Sequence, residues 1–319
     1  MARRITREPQ YGRYALCEDG KWEVLYTATD PAVEMMRCTC GKPRCLAARA
    51  QPFREHIAEL YRTIAACQSQ GMLGHAWDAV LYPLQMAASV EDVHADTAFV
   101  DNTMAITMCR PAYEYAQAQS EVASKYVAAS SVFSFVWAAY EATVRLTAPD
   151  EFTGLAKQHA TGKRGRSLVE ARPALFSAFS GVRGFVRAAQ SYCERGGLFE
   201  ARLEGVRQRY PTHDFVAAAE LLREFRNHLY HGEDQPPEPE DWAITGQTKP
   251  RIYRFYAVAR LALLLIQFLT RISVEDADEI EVGYDDDTGE DLYARPSEVL
   301  SRLHLKSDRS EESDVAADA

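Results

Sequence analysis

The chain has 319 residues, 47% of them hydrophobic and 26% charged, with a formal net charge of −10. That composition excludes a disordered or collagen-like chain, and the length suffices for a sizeable buried core. The acidity is local: residues 275–319 hold 16 Asp/Glu against 4 Lys/Arg, which leaves 30 acidic and 32 basic residues in 1–274. A near-neutral body can still carry a basic patch, so the overall charge does not exclude a nucleic-acid partner.

No apolar stretch follows the opening MARRITREPQ, so a cytoplasmic protein with no signal peptide is expected. Residues 11–30 surround the turn EDGK with Tyr, Trp and Val and predict a hairpin. Next, Cys38, Cys40 and Cys45 form C-x-C-x4-C around Gly41 and Pro43. Zinc takes four thiolate or imidazole ligands, and Cys17 is the natural fourth, with His56 and Cys67 as other choices. The competing reading is free thiols on a tight loop, favoured by the unusual C-x-C spacing and by an odd total of seven cysteines.

From Pro52 the pattern turns helical, with Phe53, Ile57, Leu60 and Ile64 on one face. A second helix over 75–88 is expected to kink or break at Pro83. Residues 89–110 fit no pattern. Pro111 opens a long helix, 112–147, whose second half is apolar enough to lie inside a bundle. TGKRGRS, 161–167, predicts a basic loop, with Lys163, Arg164 and Arg166 as candidate contacts to substrate phosphates. A helical stretch over 168–195 is expected to break at Pro173 and loosen at Gly181 and Gly184. Thr212 or Asp214 can cap a helix over 214–231, and Gly232 is placed to end it. After a Pro-rich polar loop comes a helix over 250–273. Its apolar run Phe255–Leu269 is too short for a span of about 20 residues and contains Arg260 and Gln267, so a buried core helix is expected, not a membrane segment. Ile280, Val282 and Tyr284 alternate before an acidic turn, which predicts a second hairpin. From Lys306 the chain has the composition of a disordered tail. The expected fold is mainly α: an antiparallel helical bundle over 111–274, an N-terminal α+β region over 1–110, and a hairpin with an acidic tail over 275–319.

The chemistry concentrates in REFRNHLYHG, 223–232. On a helical wheel at about 100° per residue, Ala218, Leu222, Phe225 and Leu229 share the core face, while Arg223, Asn227, Tyr230 and His231 lie opposite and Arg226 sits at the border. An Arg at such a border keeps its stem packed and its guanidinium in a cleft. A His on the last turn, followed by Gly, can reach beyond the helix end. RNHLYH, Arg226 to His231, resembles the R-x4-6-H motif of HEPN domains, α-helical bundles that carry it near the end of a late helix. The apolar FVWAAYEATVRL, 135–146, is similar to the first helix of that family, whose acidic residue would here be Glu141.

The resemblance covers about 112–273 and implies an endoribonuclease that needs no metal or other cofactor, acting in prokaryotic defence or as a toxin. It also implies a homodimer with its cleft between two copies, and leaves room for a regulatory or antitoxin partner. The residue types suit that chemistry. RNA carries its own nucleophile, the 2′-OH. His231 can move a proton near neutral pH, Arg226 can meet charge growing on the phosphate, and Asn227 can orient either. Arg223 and Tyr230 are candidate substrate contacts. His228, rotated from Asn227, is read as a supporting residue or a substrate contact. The branch of the family in which a Tyr two residues after the His is modified by a partner enzyme is not matched, because that position is Glu233. Two other readings stand beside this one. In one, the bundle is a non-catalytic RNA- or protein-binding module; in the other, the cluster is a solvated helix face whose Arg residues pair with Glu220 and Glu224.

Overall fold

The computed structural model describes residues 5–8, 12–16, 22–27, 49–90, 93–100, 108–151, 160–197, 199–239, 248–284 and 288–306. Strands β1 (Ile5–Glu8), β2 (Gly12–Leu16) and β3 (Trp22–Thr27) form an antiparallel sheet in that order. The hairpin expected over 11–30 is the β2–β3 pair, with Leu16 opposite Trp22. The expected zinc ligands Cys17, Cys38, Cys40 and Cys45 lie outside the described residues. The other two residues considered, His56 and Cys67, are both buried in the core.

Helix α1 (Phe53–Ser69) is followed by a 3-10 turn at His75–Trp77 and by α2 (Asp78–Ser89). The helix does not break at Pro83 as expected. The proline stands early in α2, where its missing N–H forfeits only the bond to the Ala79 carbonyl. The long helix is α3 (Arg110–Leu146). Then come α4 (Ala160–Glu170), a 3-10 turn at Pro173–Ala178, and α5 (Val182–Arg195). The stretch expected over 168–195 is thus divided at Pro173 and again at Gly181, whose φ of +82° suits glycine, while Gly184 continues the helix. After α6 (Glu200–Arg209), a helix that was not expected, the motif lies on α7 (Phe215–Tyr230). Finally α8 (Thr248–Ser273) leads to the antiparallel pair β4 (Ile280–Tyr284) and β5 (Asp291–Ala294), the second expected hairpin, and to α9 (Pro296–Arg302).

The most apolar helix is the axis of the fold. Every residue from Val258 to Thr270 of α8 is buried, surrounded by α1, α3, α5, α7 and α9. By length and composition alone, Arg110–Leu146 and Lys249–Ser273 could each cross a membrane, but the most apolar window of the second is 83% buried inside the protein. Arg260 within it is also inside. Its guanidinium lies 5.5 Å from the Phe53 ring and 5.6 Å from Phe185, and donates to the Gln51 carbonyl at 2.8 Å. The apolar run of α8 is therefore covered by helices of the same chain.

The boundaries expected at 110 and 274 do not separate cores. One hydrophobic cluster runs from Ala50 to Leu300. His56 Nε2 meets Gln267 Oε1 at 2.7 Å, and Gln267 donates to the Leu300 carbonyl at 2.6 Å. Gln51 N–H donates to the His304 carbonyl at 3.0 Å, and Lys306 N–H to the Arg49 carbonyl at 2.8 Å. Helix α1, the axis and the segment after α9 are thereby laced together.

The basic segment TGKRGRS is a helix and not the expected loop, because its glycines serve close packing. A Cβ on Gly162 would lie 2.9 Å from the Arg223 stem, and one on Gly165 would lie 2.1 Å from the Tyr140 hydroxyl and 3.0 Å from Val144. Arg164 turns inward from this helix. It donates to the carbonyls of Val144 at 3.0 Å, Thr147 at 2.8 Å, Ala148 at 2.5 Å, and Glu151. A cation here satisfies carbonyls at and beyond the end of α3 and faces the negative end of its dipole. Gly165→Ala should therefore destabilise the fold by about 1–3 kcal/mol through overpacking. Gly205→Ala on α6, where the nearest atom is the end of the Arg209 side chain at 3.6 Å, should be neutral or stabilising by up to about 1 kcal/mol. Equal melting temperatures for the two variants would contradict this packing.

Candidate functional site

Helix α7 begins with a full cap. Asp214 Oδ1 accepts from Val216 N–H at 2.9 Å and from Ala217 N–H at 3.2 Å, and Thr212 Oγ1 donates to the other carboxylate oxygen at 2.7 Å. Ala218, Leu222 and Phe225 are buried and Leu229 packs against the same core, which is the face the wheel assigns. The helix ends as Gly232 suggests. Its φ is +71°, its N–H donates to the Leu229 carbonyl at 3.2 Å, and Glu233 N–H donates to the His228 carbonyl at 3.4 Å. This pair of bonds is the Schellman closure, which needs a residue tolerant of positive φ at that position.

Beyond the turn, the carboxylate of Asp234 and the guanidinium of Arg254 on α8 form an ion pair with both side chains fully buried. Arg254 Nε donates to the Arg251 carbonyl at 3.1 Å, and the Tyr126 hydroxyl donates to Asp234 at 3.3 Å. The Phe225 and Phe255 rings lie 5.6 and 5.9 Å from the Arg254 guanidinium. Burial, and then the charge of Asp234, push the Tyr126 hydroxyl pKa up, so it stays a donor. The chain after the motif is thus pinned three residues past His231.

The outer face of α7 is dominated by a lattice of arginines and glutamates. Glu220 is fully buried and is met by Arg223 at 2.8 Å, Arg166 at 3.1 Å and Arg209 at 3.3 Å. Burial alone would raise its pKa, but the Arg223 hydrogen bond and the three positive charges hold it below the usual carboxylate range. Glu224 takes Arg202 at 3.2 Å and also Arg223. Three of the expected substrate contacts are therefore engaged within the protein: Arg223 and Arg166 pair with Glu220, and Arg164 donates to carbonyls at the end of α3. Lys163 is exposed on α4.

Arg226 differs from its neighbours. It is half-buried, and among the described residues it has neither a carboxylate nor a hydrogen-bond partner; its Nε is buried without one. Its guanidinium lies 4.6 Å from the Tyr230 ring centroid and 5.7 Å from that of Trp137, a buried residue of α3. Asn227 is half-buried beside it, and His231 is exposed at the helix cap with its N–H bonded to the Asn227 carbonyl at 3.0 Å. Glu141 is half-buried one turn beyond Trp137 and makes no ion pair with Arg226 among the described residues.

His228 is buried at the helix end. Its ring is buried edge-on against Phe199 at 5.4 Å, and its Nδ1 lies 3.0 Å from Glu233. Glu233 also accepts from Arg202 at 2.6 Å. The hydrogen bonds of Arg202 and then His228 bring the Glu233 pKa down to about 2. The sequence reading missed the arginines of α6, which lock Glu224 and Glu233. It also missed Trp137 as a neighbour of Arg226, although Trp137 lies in the apolar stretch FVWAAYEATVRL.

Among the described residues no group of three or more His, Cys, Asp or Glu gathers as metal ligands. No family model, curated protein or solved structure matches the chain. The different surroundings of the two motif histidines have a measurable consequence. His228→Ala should lower stability by about 2–3 kcal/mol, because it empties a buried site and releases Glu233. His231→Ala should change stability by no more than about 0.5 kcal/mol, as at other exposed positions. Denaturant melts of the two variants check this, and equal losses would contradict the placement of the rings.

Proposed function

We propose that the protein is a metal-independent endoribonuclease of the HEPN type, with Arg226, Asn227 and His231 as its catalytic residues. The observation that carries this reading is an arginine of the motif that has no carboxylate partner among the described residues, on the last turns of a helix capped by an exposed histidine. An arginine paired with a buried glutamate has its charge already met. An unpaired one retains its attraction for a phosphate and for the charge that develops on it in the transition state. His231 is exposed and can take the 2′-OH proton or give one to the leaving 5′-oxygen. Asn227, between them in sequence, can donate to the phosphate or hold the imidazole.

His231 stands five positions after Arg226, which on an ideal helix is about 140° of rotation. The two groups thus flank the helix end, and a second copy of the chain would supply the complementary pair; the homodimer belongs to the proposal. A cytoplasmic role in defence or as a toxin rests on the family resemblance.

The products test the chemistry. In EDTA the protein should cut single-stranded RNA to 2′,3′-cyclic phosphate and 5′-OH ends, and a 2′-deoxy residue at the cleaved linkage should block the cut. Cleavage that requires Mg²⁺ and leaves a 5′-phosphate would overturn the mechanism. Binding without cleavage would favour the non-catalytic RNA-binding module.

A further inference from the structure

Tyr230 is 54% exposed on the last turn of α7. Its hydroxyl makes no hydrogen bond to the described residues. What holds the ring is the guanidinium of Arg226 at 4.6 Å, itself beside the buried Trp137. An exposed ring on a cation that no carboxylate among the described residues neutralises has the two elements needed to grip a nucleotide at once. The flat face suits a base, and the cation suits its phosphate.

We infer that Tyr230 is the stacking platform for an unpaired nucleobase next to the phosphate bound by Arg226, and so selects substrate that is single-stranded at the cut. The inference rests on the ribonuclease reading and adds to it the residue that reads strandedness. Bases in a duplex are stacked on one another and offer no free face, whereas a splayed base can settle on an aromatic ring without regard to its identity. The preference should therefore be for unpaired RNA with little sequence bias at this position. Stacking is insensitive to salt, while a phosphate contact is not. The two halves of the grip can thus be told apart.

The test is binding of an RNA single strand of mixed sequence made uncleavable by 2′-O-methylation throughout, followed by fluorescence anisotropy over a salt series. Tyr230→Ala should weaken binding by about 10- to 100-fold at every salt concentration and leave the slope of log affinity against log salt unchanged. Tyr230→Phe should bind like the wild type. Arg226→Ala should instead lower the slope by about one. The same strand annealed to its complement should bind the wild type more weakly and be indifferent to Tyr230→Ala. Melting temperatures confirm that each variant is folded. The inference is overturned if Tyr230→Ala binds normally, or if Tyr230→Phe is as weak as Tyr230→Ala. It is also overturned if Tyr230→Ala lowers the slope as Arg226→Ala does, because the ring would then only support the arginine. Failure of the wild type to bind any RNA would instead sink the ribonuclease reading itself.

Discussion

The buried pair of Arg254 and Asp234 fixes what the motif can present. Two full charges withdrawn from water cost several kcal/mol each unless they are paired and their remaining atoms are met. Here the Arg251 carbonyl, the Tyr126 hydroxyl and two phenylalanine rings complete most of that requirement. Removing one member alone would leave a charge stranded in the core, a change that typically costs about 3–5 kcal/mol. The chain leaving α7 must therefore turn at Gly232 and return to α8 within three residues. With its start capped by Asp214 and its exit pinned by Asp234, α7 has one rotational setting, in which Phe225 faces the core and Arg226 lies beside Trp137.

Within that setting the arginines are divided by what surrounds them. Arg223 and Arg226 are one turn apart, yet Arg223 is bound to Glu220 and Glu224 while Arg226, among the described residues, meets aromatic rings and no carboxylate. The division follows from the position of the glutamates. Glu220 lies one turn before Arg223 and is held inside by Arg166 of α4 and Arg209 of α6. Helix α4 reaches it because Gly162 and Gly165 allow close approach to Arg223 and Tyr140. The lattice supports the helix, and Arg226 stands outside it.

Much of this was legible in the sequence, for local reasons. Core positions at spacings of three and four placed α1 and α7, Pro111 placed the start of α3, an apolar run placed α8, and the glycine after His231 located the end of α7. The wheel also put Arg226 at the edge of the core. What was not legible depended on partners distant in the chain. TGKRGRS has the composition of a loop, and only contact with Tyr140 and Arg223 explains its glycines as a packing face. Helix α6 offers little apolar pattern beyond Leu203 and Val206, so its arginines could not be assigned to Glu224 or Glu220. His228 and His231 look alike in sequence; Phe199 and Glu233 separate them. Pro83 warned of a break that one lost hydrogen bond did not cause.

The central claim is that Arg226, the arginine outside the lattice, and His231, the exposed histidine, together act on the phosphodiester. The most direct measurement is the single-turnover rate of RNA cleavage in EDTA by Arg226→Ala and by His231→Ala, each shown to be folded. The account predicts a loss of about 10²–10³-fold for the first, as for removal of one charge-stabilising donor, and of about 10²–10⁴-fold for the second, as for loss of a proton-transfer group. Wild-type rates in both variants would contradict it.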